Sequence, residues 1–175
     1  MKVVDNFLDK EDFSKIRDKI EGPWFPWFWN ENSTEDDNIP QLIHSFIKDD
    51  QITSVFFDLL KDCKLFKKLN AYGLTKCKAN LNYKTTENIV GMYHTDFDVE
   101  EDSDYYRDDI HDITTSILYI NTNNGGTQFS DGTRVKSVSN RLVTFDCCTE
   151  HAPVTCTDED RRILININYF KNKPN

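Results

Sequence analysis

The 175-residue chain has no apolar run of membrane length and no surplus of basic residues. Its 21 Lys and Arg are outnumbered by 30 Asp and Glu, which gives a formal net charge of -9. A protein that binds a phosphate backbone needs a basic stripe, so this balance argues against nucleic acid as a partner. A membrane-spanning helix needs about 20 apolar residues, so no membrane partner is expected either.

The chain also lacks a linker, an internal repeat and a low-complexity block. We therefore predict one domain over residues 1–175, with a helical lead-in over 1–70 and a β core over 76–170. The five cysteines show no disulfide framework, and the first residues do not have the pattern of a signal peptide. Reduced thiols and a cytoplasmic location are the expectation.

Two segments before residue 70 have apolar residues at helical spacing. The first runs from 8 to 20 and ends at Gly22-Pro23, and the second runs from about 40 to 60 with a break near Asp49-Asp50. Short β-rich runs separated by turn residues follow, and these runs are 76–83, 89–94, 113–120, 126–129, 133–138, 141–145 and 162–170. The pattern predicts an α+β fold, in which a sandwich or jelly roll carries the leading helices on one sheet.

Three residues stand out as candidate metal ligands: His94, Asp96 and His151. Residues i and i+2 of a strand point to the same side, so His94 and Asp96 can bind one ion together. His151, from another strand, would complete a face of two imidazoles and one carboxylate. That set holds non-heme Fe(II) with open positions, whereas a closed structural zinc site needs four ligands.

Several segments, in this order, resemble the Fe(II)/2-oxoglutarate-dependent dioxygenases, and the prolyl 4-hydroxylase-like branch most closely. They are Val3-Val4-Asp5-Asn6-Phe7-Leu8, Asn80-Leu81-Asn82-Tyr83, Tyr93-His94-Thr95-Asp96, Gly125-Gly126-Thr127-Gln128-Phe129, Asn140-Arg141-Leu142-Val143-Thr144-Phe145-Asp146 and His151-Ala152-Pro153-Val154. The resemblance covers residues 76–170 specifically and the front end loosely. Thr127 departs from the family, which often has Glu there, and this bears on the subfamily rather than on the metal site.

The resemblance implies a double-stranded β-helix (jelly roll) and an oxidoreductase with Fe(II), 2-oxoglutarate and O2 as cofactors. Ascorbate is a further candidate. The implied reaction is hydroxylation of a protein or peptide side chain, with prolyl 4-hydroxylation as one form. Related halogenases have a small residue at the position of Asp96, so the intact carboxylate favours hydroxylation. The alternatives are a hydroxylase of a free amino acid or other small metabolite, and a non-catalytic jelly-roll binding module. The oligomeric state is left open.

The distal carboxylate of 2-oxoglutarate needs a buried cation, and Arg suits that bidentate role. Strand alternation sends Arg161 and Arg162 to opposite faces. Arg162 shares its face with Leu164, Asn166 and Asn168, which suits a pocket, and the resemblance agrees. We therefore predict Arg162 as the cosubstrate residue, with Arg161 in solvent. The resemblance also implies a hydrogen bond from Tyr83 to the same carboxylate, although a packing role for Tyr83 is equally consistent with the sequence.

Two further segments have competing interpretations. Residues 97–112 hold eight acidic residues against Arg107 alone, which favours a solvated loop over a lid that attracts a basic substrate. Residues 22–29 are strongly aromatic, which favours packing between helices and sheet over an exposed binding surface.

Three cysteines near His151 (Cys147, Cys148 and Cys156) raise a zinc alternative, but their spacing opposes it. His44 and His111 have no other candidate metal ligands beside them in the sequence, so no metal-binding role is predicted for either.

Overall fold

The computed structural model describes residues 1–31, 39–97 and 110–171, and these form two antiparallel sheets with short helices against one of them. The helices are α1 (Lys10–Ile20), α2 (Phe57–Asp62) and α3 (Leu65–Leu69), and a 3-10 turn spans Ile110–Asp112. The strands are β1 (Lys2–Val4), β2 (Phe28–Asn30), β3 (Gln41–Lys48), β4 (Gln51–Ile52), β5 (Ala71–Tyr83), β6 (Ile113–Tyr119), β7 (Gly126–Phe129), β8 (Arg134–Lys136), β9 (Leu142–Asp146), β10 (His151–Val154) and β11 (Arg161–Lys171).

The larger sheet has eight strands in the order β1-β9-β6-β11-β5-β3-β2, with β4 paired to β3. The smaller sheet has the order β10-β7-β8. Two isolated antiparallel bridges, Val90 with Val154 and His94 with His151, attach the segment before residue 95 to the free edge of β10. The smaller sheet is thereby extended at the place where the candidate ligands lie.

The central strands of the larger sheet bury both faces, as alternating side chains require. On β11, Ile163, Ile165 and Ile167 pack with residues of the three helices in one core. Leu164 points the other way, into a second core shared with β6, β7, β8 and β9. The predicted α+β jelly roll with helices on one sheet is therefore confirmed.

The predicted second helix over residues 40–60 is wrong over most of its length. Residues 41–48 form β3, which pairs antiparallel with β5, and a helix begins only at Phe57. Asp49 and Asp50 both have positive φ, and they turn the chain into β4. The apolar residues of β3 occur on both faces because both are covered, and a doubly buried strand imitates helical spacing.

Smaller differences concern the strand ends and the aromatic segment. The run 89–94 forms only the two bridges, and β1, β2 and β10 were not among the predicted runs. Residues 22–29 were predicted to pack between helices and sheet. This prediction is correct for Phe25 and Trp27, which contact the helix-side core. It is wrong for Trp24, Phe28 and Trp29, whose side chains are mostly exposed.

Within the described part of the chain, no helix combines the length and the apolarity that crossing a membrane requires. All five cysteines are free thiols, in keeping with the predicted absence of a disulfide framework.

Protonation of His44, a buried β3 residue, is expected to destabilise the fold at acid pH. Its ring nitrogens lie 2.8 Å from the carbonyl oxygen of Pro26 and 2.8 Å from Ser54 Oγ. Burial lowers the pKa of His44 below its usual 6.5, and the Pro26 carbonyl opposes this only in part. As pH falls through about 6.5 the unfolded chain therefore binds a proton before the folded chain does. The free energy of unfolding should drop by up to about 1.4 kcal/mol per pH unit.

Urea unfolding at about pH 7.5 and about pH 5.5 measures this drop. His44→Gln should lose less stability between the two values than the wild type, and the exposed His111→Gln control should behave like the wild type. An equal loss in His44→Gln and the wild type would show that other groups cause the acid sensitivity.

Candidate functional site

A cavity of about 1000 Å³ lies between the larger sheet and the smaller one. Its lining includes one face of β3, β5 and β11, together with residues 92–97 and parts of β7 and β10. Gln41, Ile43 and Ser45 face it from β3, the strand that was predicted to be helical. Because this segment is a strand and not a helix, its alternate side chains form this part of the cavity wall.

The three predicted metal ligands meet in this cavity. The backbones of His94 and His151 are joined by two hydrogen bonds of 3.0 Å, one in each direction. Asp96 lies two residues beyond His94. One candidate ligand atom from each of the three side chains lies within 4.8 Å of the other two. Strand pairing therefore brings together two residues that are far apart in the sequence.

Both imidazoles are oriented by backbone carbonyls behind them. His94 Nδ1 lies 3.2 Å from the oxygen of Met92, and His151 Nδ1 lies 2.9 Å from the oxygen of Thr149. A carbonyl only accepts hydrogen bonds, so each Nδ1 is the donor, and in the neutral imidazole that binds a metal the Nε2 lone pair faces away from this contact. Burial and the nearby His151 lower the pKa of His94 to about 4, against weaker opposing effects of Asp96 and the Met92 carbonyl. At neutral pH His94 is therefore in the form that binds a metal.

Asp96 is held as an ionised carboxylate by three donors. Asn166 Nδ2 donates to Oδ1 at 3.0 Å, while Thr115 Oγ1 and Asn168 Nδ2 donate to Oδ2 at 2.7 and 2.9 Å. Burial raises the pKa of Asp96, but His151, Lys76 and the hydrogen bonds outweigh it and hold this pKa far below its usual range. Two carboxylate oxygens accept about four bonds, so these donors leave room for a cation. The donor set fits a divalent metal ion of the iron type.

The zinc alternative finds no support in the site geometry. No cysteine sulfur belongs to the cluster of His94, Asp96 and His151. Cys147 and Cys148 form a separate cluster with Asp146. Burial raises the pKa of both thiols, which disfavours the thiolate that a metal requires. Cys156 does not line the cavity, and burial raises the pKa of its thiol as well.

Arg162 lies deep in the cavity and Arg161 is exposed, as strand alternation predicts. The Arg162 guanidinium donates from Nη1 to Asn82 Oδ1 at 3.1 Å and lies 5.8 Å from the centre of the Tyr119 ring. Its Nε has no hydrogen-bond partner, and it forms no ion pair within residues 1–31, 39–97 and 110–171. A fully buried cation without a counter-ion is costly, so an anionic ligand is the natural partner.

Tyr83 does not reach the cavity, so the interpretation of this residue as a cosubstrate donor is corrected. It pairs across the strands with Arg161 and is 47% exposed, while its neighbour Asn82 pairs with Arg162 and faces inward. The tyrosine beside the arginine is Tyr119 on β6, which donates to Thr127 Oγ1 at 2.7 Å. Nothing in the local sequence marks Tyr119, because its position depends on the pairing of β6 with β11.

Further polar side chains lie on this face of β5 and β11: Asn166 and Asn168, which were predicted to face a pocket, and Asn80 and Asn82, for which no site role was predicted. Five buried atoms there have no hydrogen-bond partner among the described residues, namely Asn80 Oδ1, Asn82 Nδ2, Arg162 Nε, Asn166 Oδ1 and Asn168 Oδ1. An unpaired buried polar atom costs about 1–3 kcal/mol. Their clustering on one face therefore indicates a surface that is completed by a ligand.

Two lysines also line the cavity, although no motif in the sequence marks them as site residues. Lys76 and Lys78 lie on β5, on the same face as Asn80 and Asn82. Burial lowers the pKa of Lys78 to about 8, with a further decrease from Lys76 and partial opposition from Asp96. The acidic segment 97–112, for which a solvated loop was favoured over a lid, lies mostly outside the described residues, which resume at Ile110.

No family model matches the chain, and no curated protein matches it. Solved structures match over nearly its whole length. One is a prolyl hydroxylase from Trichoplax adhaerens in complex with a hypoxia inducible factor oxygen degradation domain peptide fragment. It is 15% identical with a TM-score of 0.64, and the match covers 97% of this chain and 83% of that one.

A second similar structure is an oxidoreductase of the 2OG-Fe(II) oxygenase family from Burkholderia pseudomallei, 12% identical with a TM-score of 0.65. That match covers 98% of this chain and 85% of the other. A third is HygX from Streptomyces hygroscopicus with nickel, 2-oxoglutarate and hygromycin B bound, 12% identical with a TM-score of 0.58. That match covers 97% of this chain and 82% of the HygX chain. These likenesses establish that the chain has the jelly-roll fold of the 2-oxoglutarate oxygenases.

Proposed function

We propose that this protein is an Fe(II)- and 2-oxoglutarate-dependent oxygenase that hydroxylates a carbon atom of its substrate. One observation carries the proposal. A single cavity brings together two imidazoles with free Nε2 atoms, one ionised carboxylate and a buried arginine that has no ion pair among the described residues. A closed structural metal site would not need the arginine, and an anion-binding site would not need the triad.

In this proposal His94, Asp96 and His151 hold Fe(II). The bound iron supplies chemistry in which a substrate C–H bond, 2-oxoglutarate and O2 become C–OH, succinate and CO2. The chain itself contributes orientation: the carbonyls of Met92 and Thr149 fix the two imidazole rings. Because outer partners of metal ligands tune both affinity and geometry, these contacts are part of the site.

Arg162 would bind the distal carboxylate of 2-oxoglutarate. Its guanidinium is already held by the hydrogen bond to Asn82 and by the Tyr119 ring, so little ordering remains to be done when the cosubstrate enters. The Nε adds a donor that no residue among 1–31, 39–97 and 110–171 uses and that a ligand can engage. Burial excludes water from this end of the cavity, which strengthens the charge-assisted pair.

The substrate class has two candidates. A protein or peptide side chain, with proline among the possible residues, is favoured by likeness to a prolyl hydroxylase that holds a peptide. A small metabolite is favoured by likeness to HygX, which holds hygromycin B, and by the charged side chains that line the cavity. The free thiols agree with a cytoplasmic setting.

The test is formation of succinate from 2-oxoglutarate by the Fe(II)-loaded protein in air, with and without ascorbate, followed by NMR. We expect slow turnover without substrate and faster turnover with the right substrate. Mass spectrometry of proline-containing peptides and of small acids then identifies which class gains one oxygen atom. His151→Ala should abolish succinate formation, and the exposed His111→Ala control should retain it. Binding of 2-oxoglutarate without any succinate would instead support a non-catalytic jelly-roll module.

A further inference from the structure

The cavity face of β5 carries two ammonium groups, Lys76 and Lys78, which the oxygenase proposal leaves without a role. We propose that they bind an anionic group of the substrate, a carboxylate or a phosphate, and so direct this site toward acidic substrates. The inference rests on the proposed function for the place of the metal and the cosubstrate. It concerns the opposite end of the cavity from Arg162.

Strand register separates the lysines from the predicted cosubstrate end. Asn82 pairs with Arg162, whereas Lys78 pairs with Asn166 and Lys76 pairs with Asn168. At about 3.3 Å per residue, Lys78 lies about 13 Å from Asn82 along β5, and Lys76 about 20 Å. A carboxylate that is bound at Arg162 therefore does not neutralise either lysine.

The same register places the lysines beside the metal triad. Asn166 and Asn168 are the residues that donate to the Asp96 carboxylate, and each is the cross-strand partner of one lysine. Neighbouring strands are about 4.8 Å apart, so both lysines border the space next to Asp96. A substrate that is positioned for reaction at the metal would lie over them.

Neither lysine forms an ion pair with a described residue, although the Asp96 carboxylate attracts both from a longer distance. Lys76 donates to the backbone oxygen of Asp96 at 3.5 Å and lies 5.9 Å from the centre of the Phe97 ring. The Lys78 side chain makes no hydrogen bond to any residue in the described part of the chain. Two partly buried ammonium groups side by side repel each other, and an anion between them would relieve that cost.

The charge of the lining agrees with this inference. The described lining residues include the four cations Lys48, Lys76, Lys78 and Arg162 and the three carboxylates Asp49, Asp50 and Asp96. Lys48, Asp49 and Asp50 are exposed at the β3–β4 turn, where solvent screens them, which leaves three less exposed cations against Asp96. The cavity is thus locally basic in a chain of net charge -9. A cationic substrate group, which the alternative interpretation of residues 97–112 as an acidic lid implies, would meet two like charges beside the triad.

Binding of small probes to the full-length protein tests this proposal without turnover. Mn(II) replaces Fe(II), and 2-oxoglutarate is present in excess to fill its own site. Propionate and methyl phosphate are the anionic probes, and propylamine is the cationic probe of matched length. Broadening of the methyl NMR signals by Mn(II) reports binding close to the metal. We expect broadening of at least one anionic probe and none of propylamine, and the stronger anion identifies carboxylate or phosphate as the preferred group.

Lys76→Gln/Lys78→Gln should weaken binding of the anionic probe by about tenfold, the usual effect of losing a charge-assisted hydrogen bond. Lys78→Arg should retain binding, and the exposed Lys84→Gln control should match the wild type. Preference for propylamine, or equal anion binding in the wild type and the double variant, would overturn the proposal. Loss of probe binding in Arg162→Met but not in the double variant would overturn it as well, because the anion would then occupy the cosubstrate end.

Separate measurements distinguish a failure of the anion-binding proposal for Lys76 and Lys78 from a failure of the proposed oxygenase function. Mn(II) affinity by electron paramagnetic resonance and 2-oxoglutarate affinity by calorimetry test the triad and Arg162 directly. If either is absent, saturation-transfer NMR on the metal-free protein still compares propionate with propylamine in the wild type and the double variant. A lysine-dependent preference for propionate supports the inference in that experiment, and its absence contradicts it.

Discussion

Replacement of Asp96 by alanine is expected to weaken Mn(II) or Fe(II) binding by more than about 100-fold, since loss of an outer partner alone costs about 10- to 100-fold. Asp96 is the single carboxylate of the triad, and it is ionised and buried among Asn166, Asn168 and Thr115. Its removal leaves the metal with two neutral imidazoles. Electron paramagnetic resonance of Mn(II) measures the affinity, and succinate formation should fall to background.

Glu150→Gln is the matched control, because Glu150 directly precedes His151 but its side chain is exposed. It should bind Mn(II) like the wild type. Asp96→Ala also leaves three donors without their acceptor, so circular dichroism and thermal unfolding must show that the variant is folded. An Asp96→Ala protein that binds Mn(II) with wild-type affinity would place the metal elsewhere, with Asp146, Cys147 and Cys148 as the next group to examine.

Replacement of Arg162 by methionine is expected to raise the dissociation constant for 2-oxoglutarate by roughly 30-fold or more. Loss of one partner of a buried charge pair costs about 2–5 kcal/mol. The affinity for Mn(II) should not change, because Arg162 lies about 13 Å along β11 from Asn166, which contacts Asp96. Calorimetry with the Mn(II)-loaded protein measures both constants.

Arg161→Met provides the control at the adjacent position. Arg161 has the same chemistry and the same strand, but its side chain is exposed. We expect its affinity for 2-oxoglutarate to stay within about twofold of the wild type, as surface substitutions usually do. Arg162→Met should also fold well, because methionine replaces a buried cation that has no ion pair among the described residues. Equal effects of the two substitutions would remove Arg162 from the cosubstrate site.

The contrast between these two arginines shows where sequence reasoning is strong. Alternation along one strand is a local property of the backbone, so the opposite orientations of Arg161 and Arg162 follow from their order alone. The spacing of His94 and Asp96 is local in the same way. The resemblance to known oxygenases extended this reasoning to His151, and the structure brings all three side chains together.

Sequence reasoning failed where two strands had to be aligned. Tyr83 and Asn82 are neighbours, and the register of β5 against β11 decides that Asn82 faces the cavity. Tyr119 reaches Arg162 through the pairing of β6 with β11, which no pattern within β6 reveals. The false helix over residues 40–60 has a related cause, because β3 is a strand by virtue of its pairing with β5.

The order of the residues by itself determined the pairing of His94 with Asp96, the two faces of β11 and the mixture of helices and strands, because each depends on a period of two or of 3.6 residues. Tertiary structure decided the outer partners of Asp96, the partner of Arg162 and the position of two lysines beside the triad. These depend on register between strands that are distant in the sequence. Register is set by burying whole faces at once, which no short segment can specify alone.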